Sequence, residues 1–137
     1  MPDLTPHGVR LQDRRPLSPH LQIYRPMLTM MMSIVHRITG VALYVGMVLI
    51  AWYLIAAAAG EQAFSRAYGV LASLPGQVIL FGFTWALFHH FLGGIRHAIW
   101  DTGVAMDAQG REGLAWATLI GGIVLTVGVW IAAYVLR

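Results

Sequence analysis

Seven polar or charged residues stand in stretches that are otherwise apolar: Ser33, His36 and Arg37 in one, and His89, His90, Arg96 and His97 close before Asp101 in the other, so the histidines alone number four. At the centre of a bilayer an ionisable side chain costs about 2.5 to 3.5 kcal/mol even on the lenient insertion scale, so it is kept only with a partner and usually for a purpose. A neutral imidazole offers a lone pair to a metal. A guanidinium one turn from a hydroxyl can hold a carbonyl or an anion. The chain has no cysteine, which excludes disulfides, thiolate metal sites and iron-sulfur ligation within it.

The spacing of these groups is ordered. Ser33, His36, Arg37, Gly40 and Tyr44 fall at i, i+3, i+4, i+7 and i+11, which stacks them on one helical face. Ile34, Leu43, Met47 and Ile50 lie on the other side, toward lipid or another helix. In the second stretch, at about 100° per residue, His89, Arg96 and Trp100 share one edge of a face, while His90, Gly94, His97 and Asp101 share the other. Gly93 lies between them, and the two glycines give a flat object room to approach the backbone.

The elements that must carry these faces are membrane helices. The 137-residue chain is 58% hydrophobic and 11% charged, with a mean hydropathy of +0.65, against about 25% charged residues in a soluble domain. The reading is an all-α integral membrane protein with three transmembrane helices, about 30–59, 77–100 and 114–136, plus an N-terminal arm and a short interfacial helix near 61–74. Residues 38–59 form an uncharged run of about 22 residues, long enough to cross the hydrocarbon core. Glu61, Ser65, Arg66 and Ser73 are too polar for a span, with Phe64, Ala67, Leu71 and Leu74 at helical spacing, and Pro75-Gly76 is expected to break the chain. The last span carries Trp116 near one end and Trp130 and Tyr134 near the other, as aromatic belts do, and Thr118, Gly122 and Thr126 form a small-residue seam.

The chain divides into an arm over 1–26 and a membrane domain over 27–137. The arm holds five of the six prolines and is expected to be mature sequence, since it has neither the apolar core of a secretory signal nor the look of a transit peptide. All nine basic residues are arginines, and Arg10, Arg14, Arg15, Arg25 and Arg37 lie in or just after the arm, against Arg66 alone in the first connection. That asymmetry predicts a cytoplasmic N-terminus and gives the net charge of +3 a topological meaning with no nucleic acid involved. The two polar faces then meet at the same membrane surface.

Two imidazoles from adjacent helices at matched depth are what a six-coordinate b-type haem needs. With Met30 and Asp101 at one surface, the helical rise puts His36 and His97 roughly 6 to 9 Å deep and His90 about 16 Å deep. Depth alone therefore pairs His36 with His97 and leaves His90 to a ligand from another chain. Ser33 and Arg37 could serve a quinone, giving its carbonyl a donor and its reduced, partly anionic forms a positive charge, and Arg37 could equally meet a haem propionate. Two rival readings use the same residues. In a small transporter or proton-translocating subunit His36, His89, His90 and His97 would relay protons, although no membrane carboxylate completes the relay and no internal repeat is visible. In a bare anchor the histidines would only hydrogen-bond between helices, and the arm would dock peripheral subunits.

Three ordered stretches narrow the choice. Residues 15–24, Arg-Pro-Leu-Ser-Pro-His-Leu-Gln-Ile-Tyr, then 33–40, Ser-Ile-Val-His-Arg-Ile-Thr-Gly, then 90–101, His-Phe-Leu-Gly-Gly-Ile-Arg-His-Ala-Ile-Trp-Asp, closely resemble the motifs of the large cytochrome b membrane-anchor subunit of succinate dehydrogenase (complex II), in its mitochondrial and alphaproteobacterial branch. The resemblance implies a bacterial inner-membrane subunit, part of an enzyme without catalysing alone, that shares one haem b with a small anchor subunit. It implies further partners in the iron-sulfur and flavoprotein subunits, and ubiquinone as the substrate reduced with electrons from succinate. By that similarity His90 is the axial iron ligand, in place of the pairing that depth suggests. His36, Arg37 and His97 surround the haem propionates, and Ser33, Ile34 and Arg37 border the quinone. His89 departs from the family pattern, and His90 is preferred as ligand because its seven-residue spacing to His97 matches the motif.

Overall fold

The computed structural model describes Pro16 and residues 18–136. Much of the expected arm, including Arg10, Arg14 and Arg15, lies outside the described residues. The part that is described runs exposed through a short 3-10 turn, His20–Ile23, and the Tyr24 hydroxyl reaches Met30 Sδ at 3.2 Å.

Four helices follow: α1 (Leu28–Ala58), α2 (Glu61–Ala72), α3 (Leu74–Asp101) and α4 (Ala108–Val135). The described residues contain no strand. Three of these helices, α1, α3 and α4, are long and apolar enough to cross a membrane, and at 28 to 31 residues each exceeds the roughly 20 that a bilayer requires. The chain is a multi-pass membrane protein with α2 as its short amphipathic connector. Ala67 is the buried residue of α2, at 1% exposure, and Phe64 packs against Tyr53 of α1 with ring centroids 5.5 Å apart.

Two boundaries differ from the sequence expectation. Pro75-Gly76 does not separate two elements but forms the first turn of α3, where a missing N–H costs nothing. The break falls at Ser73, whose hydroxyl donates to the Val70 carbonyl at 2.6 Å and accepts from Gly76 N at 3.3 Å. A side chain at Gly76 would collide with the Val70 and Leu71 carbonyls, so glycine lets α3 leave directly from the end of α2. Leu74 consequently belongs to α3 and is exposed, instead of completing the apolar stripe of α2. The last helix begins at Ala108, six residues before the expected 114, because Asp107 caps it by accepting from Gly110 N at 3.2 Å. The apolar span begins near 114, and the capped first turns of the helix project beyond it.

Helix α3 is central. It packs most extensively on α4, then on α1, and also touches α2. The α3–α4 seam is the expected small-residue stripe: Ala115, Thr118, Gly122 and Thr126 are all buried. The threonine hydroxyls donate to carbonyls one turn back in α4, Thr118 to Leu114 and Thr126 to Gly122, so the seam stays close without unsatisfied hydroxyls. At the far end from the histidines, Trp130 Nε1 donates to Thr84 Oγ1 at 3.3 Å and the Tyr134 hydroxyl to Gln77 Oε1 at 2.5 Å.

Candidate functional site

The polar residues of α3 divide between its two neighbours. His89 and Arg96 face α4, while His90, Gly93 and His97 face α1. Helices α1 and α3 run antiparallel, with Gly46 level with Phe83, Gly40 with His90, and His36 with Gly93. The spacing on both helices brings side chains together because small residues alternate with rings across the contact. A Cβ at Gly40 would stand 3.0 Å from His90 Cε1, and one at Gly93 would collide with His36 Nδ1. Gly94 has open space around it, so these two adjacent glycines of α3 differ: one admits a ring of α1, and the other faces outward.

In this register His36 lies between His90 and His97. Its ring stacks on His90, with centroids 3.9 Å apart and planes 5° from parallel, and meets His97 at 5.5 Å in a tilted arrangement. The pairing of His36 with His97 by depth therefore describes one of two ring contacts and omits the closer one, with His90. Levelling Met30 with Asp101 offsets the helices by one to two residues, about 2 to 3 Å of rise, enough to move His90 out of reach of His36. Face-to-face imidazoles also cannot point their nitrogens at one atom from opposite sides, so His36 and His90 are not a pair of opposed ligands.

His90 Nδ1 lies 3.1 Å from the His36 carbonyl oxygen and 3.3 Å from Thr39 Oγ1. A carbonyl only accepts, so Nδ1 carries the proton and Nε2 keeps its lone pair. Thr39, 2% exposed, donates its own hydroxyl to the Val35 or His36 carbonyl at 3.0 or 2.9 Å, which leaves its oxygen free to accept from His90. Sequence reading passed over Thr39. Its signal was a polar side chain one turn after His36 inside an apolar helix.

The other expected residues distribute as follows. Ser33 is half-buried, Ile34 is 42% exposed, and Arg37 and His97 are exposed on the outer side of the α1–α3 contact. Tyr44, the last member of the α1 stripe, is 69% exposed, so the lower part of the stripe turns away from α3. His97 packs edge-on against Trp100 at 5.3 Å. His89 is wholly buried, has no hydrogen-bond partner at either ring nitrogen, and packs near Trp85 at 5.2 Å. A Cβ at Gly122 would come within 3.3 Å of His89 Cα, so α4 closes over His89. No group of three or more histidine, cysteine or carboxylate side chains converges as a metal cluster among the described residues. The arrangement instead presents one oriented imidazole, His90, on a face shared with His36, Arg37 and His97.

The family model for succinate dehydrogenase/fumarate reductase transmembrane subunits matches residues 12–130. The succinate dehydrogenase cytochrome b556 subunit of Paracoccus denitrificans is 45% identical over 113 residues, covering 82% of this chain and 87% of that protein. The b556 subunit of Rickettsia bellii is 34% identical over 125 residues, 88% of this chain and 94% of the relative. The mitochondrial b560 subunit of Sus scrofa is 34% identical over 120 residues, 86% of this chain and 71% of the relative. Three membrane helices in the expected order and matches to both bacterial and mitochondrial relatives agree, and the chain belongs to the succinate dehydrogenase/fumarate reductase transmembrane subunit family as a non-catalytic cytochrome b membrane subunit of complex II.

Proposed function

We propose that this subunit holds one side of a b-type haem through His90 and contributes Ser33, Ile34 and Arg37 to a ubiquinone-reduction site. Electrons from succinate oxidation would then reach quinone at its surface. The observation that carries the reading is the hydrogen bond from His90 Nδ1 to the His36 carbonyl, which fixes the tautomer and leaves Nε2 as a ligand. Gly94, with open space around it, leaves the outer side of that helix accessible to a flat group. When bound, the haem supplies a one-electron iron couple.

The remaining roles follow from side-chain chemistry. Arg37 and His97, exposed beside the stacked pair, supply positive charge and N–H donors for propionates, and the His36 ring backs His90. The Ser33 hydroxyl donates to a quinone carbonyl, Arg37 stabilises negative charge that develops on reduction, and Ile34 offers an apolar wall. A stacked His36 cannot oppose His90 across an iron, which supports a second ligand from a small anchor subunit. Iron-sulfur and flavoprotein subunits complete the assembly, in a bacterial inner membrane with the N-terminus cytoplasmic, as the arginine asymmetry favours. Residues 1–26 serve as the arm and 27–137 as the haem-binding anchor.

The test is the reduced-minus-oxidised visible spectrum of the purified complex. Wild type and His89→Phe are expected to show b-type haem bands, and His90→Leu to lose them. Retained bands in His90→Leu would overturn the assignment.

A further inference from the structure

Arg96 is a buried charged group that the proposed haem and quinone roles do not use. It is 2% exposed, and its Nε and Nη1 atoms have no hydrogen-bond partner. Its guanidinium lies 5.2 Å over the Trp100 ring, a contact worth only about 0.5 to 2 kcal/mol, too little to offset the desolvation of a cation and two unpaired N–H groups. An arginine in this setting needs an anion.

Where the anion would enter is visible. Arg96 lines a groove of about 160 Å³ between α3 and α4, together with Leu92, Ile95, Ile99, Leu114 and Thr118. It is the only charged residue in that lining, and the walls are otherwise aliphatic apart from Thr118, whose hydroxyl is spent on the Leu114 carbonyl. Arg111 lies three residues before Leu114 and seven before Thr118, so it sits on the same face of α4 one turn nearer the helix start. Arg96 lies five residues from the end of α3, about 7 to 8 Å along its axis, the level of the headgroup and glycerol region. An aliphatic groove with a buried cation at its base and an exposed arginine at its mouth matches a phosphodiester with acyl chains attached.

We propose that the α3–α4 groove is a binding site for one anionic phospholipid, whose phosphate pairs with Arg96 and whose chains lie along Leu92, Ile95 and Ile99. An anionic headgroup is required, because a zwitterionic lipid brings an ammonium that neutralises its own phosphate and leaves Arg96 uncompensated. The site faces α4, whereas His90 faces α1, so it stands apart from the haem and quinone assignments.

The experiment uses the purified complex in nanodiscs of mixed phosphatidylglycerol and phosphatidylcholine, followed by detergent extraction and counting of retained lipid by native mass spectrometry. Wild type is expected to retain one phosphatidylglycerol per copy of this subunit, in preference to phosphatidylcholine, and inorganic phosphate added during extraction is expected not to displace it. Arg96→Gln should reduce retention about tenfold, the equivalent of one lost charge-assisted contact, and Arg96→Lys less. Ala117→Trp fills the groove from an exposed position on α4 while keeping the arginine, and should lower retention equally. Wild-type retention in Arg96→Gln or in Ala117→Trp, equal retention of the two lipids, displacement by inorganic phosphate alone, or a partner-subunit carboxylate cross-linked to this groove would each overturn the proposal.

Discussion

His36 of α1 and His90 of α3 stack ring on ring at 3.9 Å, and the same contact ties the His90 Nδ1 proton to the His36 backbone carbonyl at 3.1 Å. One residue thus acts on His90 twice, through its ring and through its main chain. Because the carbonyl belongs to a helix backbone, the tautomer of His90 is set by the register of α1 against α3 and not by a side chain that could rotate away. The orientation of His90 is therefore inseparable from the packing of two membrane helices.

The register is tested at the glycines. A methyl group at Gly93 would collide with His36 Nδ1, and one at Gly40 would press on His90 Cε1 at 3.0 Å, whereas Gly94 meets nothing within 4 Å. Overpacking of this kind costs about 1 to 3 kcal/mol. Gly93→Ala and, less severely, Gly40→Ala are expected to lower the thermal midpoint of the purified complex and weaken the haem bands, while Gly82→Ala, also on α3 with nothing within 4 Å of an added methyl, leaves the midpoint unchanged. The same midpoint for all three would mean that α1 and α3 do not pack this closely.

Thr39 tunes the same imidazole. Its oxygen shares the Nδ1 proton of His90 with the His36 carbonyl, so removing it leaves the tautomer intact but makes the ring a weaker electron donor. Thr39→Val should retain the haem and shift its midpoint potential upward by roughly 30 to 60 mV, the one-electron equivalent of a hydrogen bond worth about 1 kcal/mol. Redox titration of the absorbance bands reads this directly, and an unshifted potential would show that the hydroxyl does not act on the ring.

His89 is expected to behave in the opposite way to its neighbour. It is wholly buried against α4 with both ring nitrogens unpartnered, and replacing an unsatisfied buried polar group with an apolar one of similar shape is neutral or stabilising. His89→Phe should therefore hold or raise the thermal midpoint, by up to about 1 to 2 kcal/mol of added stability, with haem content unchanged. A large loss of stability would mean that His89 finds a polar partner in the assembled complex.

What the sequence made legible depended on which physical scale was involved. Hydropathy located α1, α3 and α4, and the Thr118, Gly122, Thr126 spacing located the seam they share with α3, because both are averages over many residues. The split of α3 into a His89/Arg96 edge and a His90/His97 edge also survived, since it needs only the 100° step. The stacking of His36 on His90, beside its contact with His97, was not legible, because two helices can slide by a single residue without any change in either sequence pattern. The start of α4 was missed for a different reason: polarity marks where the bilayer ends, and the Asp107 cap marks where the helix ends. Thr39 was passed over because a threonine in a membrane helix ordinarily bonds its own backbone, which Thr39 also does.

The quinone assignment rests on Ser33 and Arg37, which occupy neighbouring turns of α1 on the same side as His36. Ser33 is half-buried and Arg37 is exposed, so both can reach a ligand that arrives from outside the three-helix unit. Loss of either group should leave succinate oxidation in the soluble subunits untouched, because neither contributes to it. Ser33→Ala and Arg37→Ala are therefore expected to lower the quinone-linked rate by about tenfold or more, consistent with the loss of one charge-assisted or oriented donor of about 1.5 to 3 kcal/mol, while reduction of an artificial dye stays at the wild-type rate. Arg37→Lys should recover part of the loss, since it keeps the charge and gives up only the planar fork. Normal quinone kinetics in Ser33→Ala and Arg37→Ala would remove both residues from the site, and an equal fall in dye reduction would trace the defect to assembly.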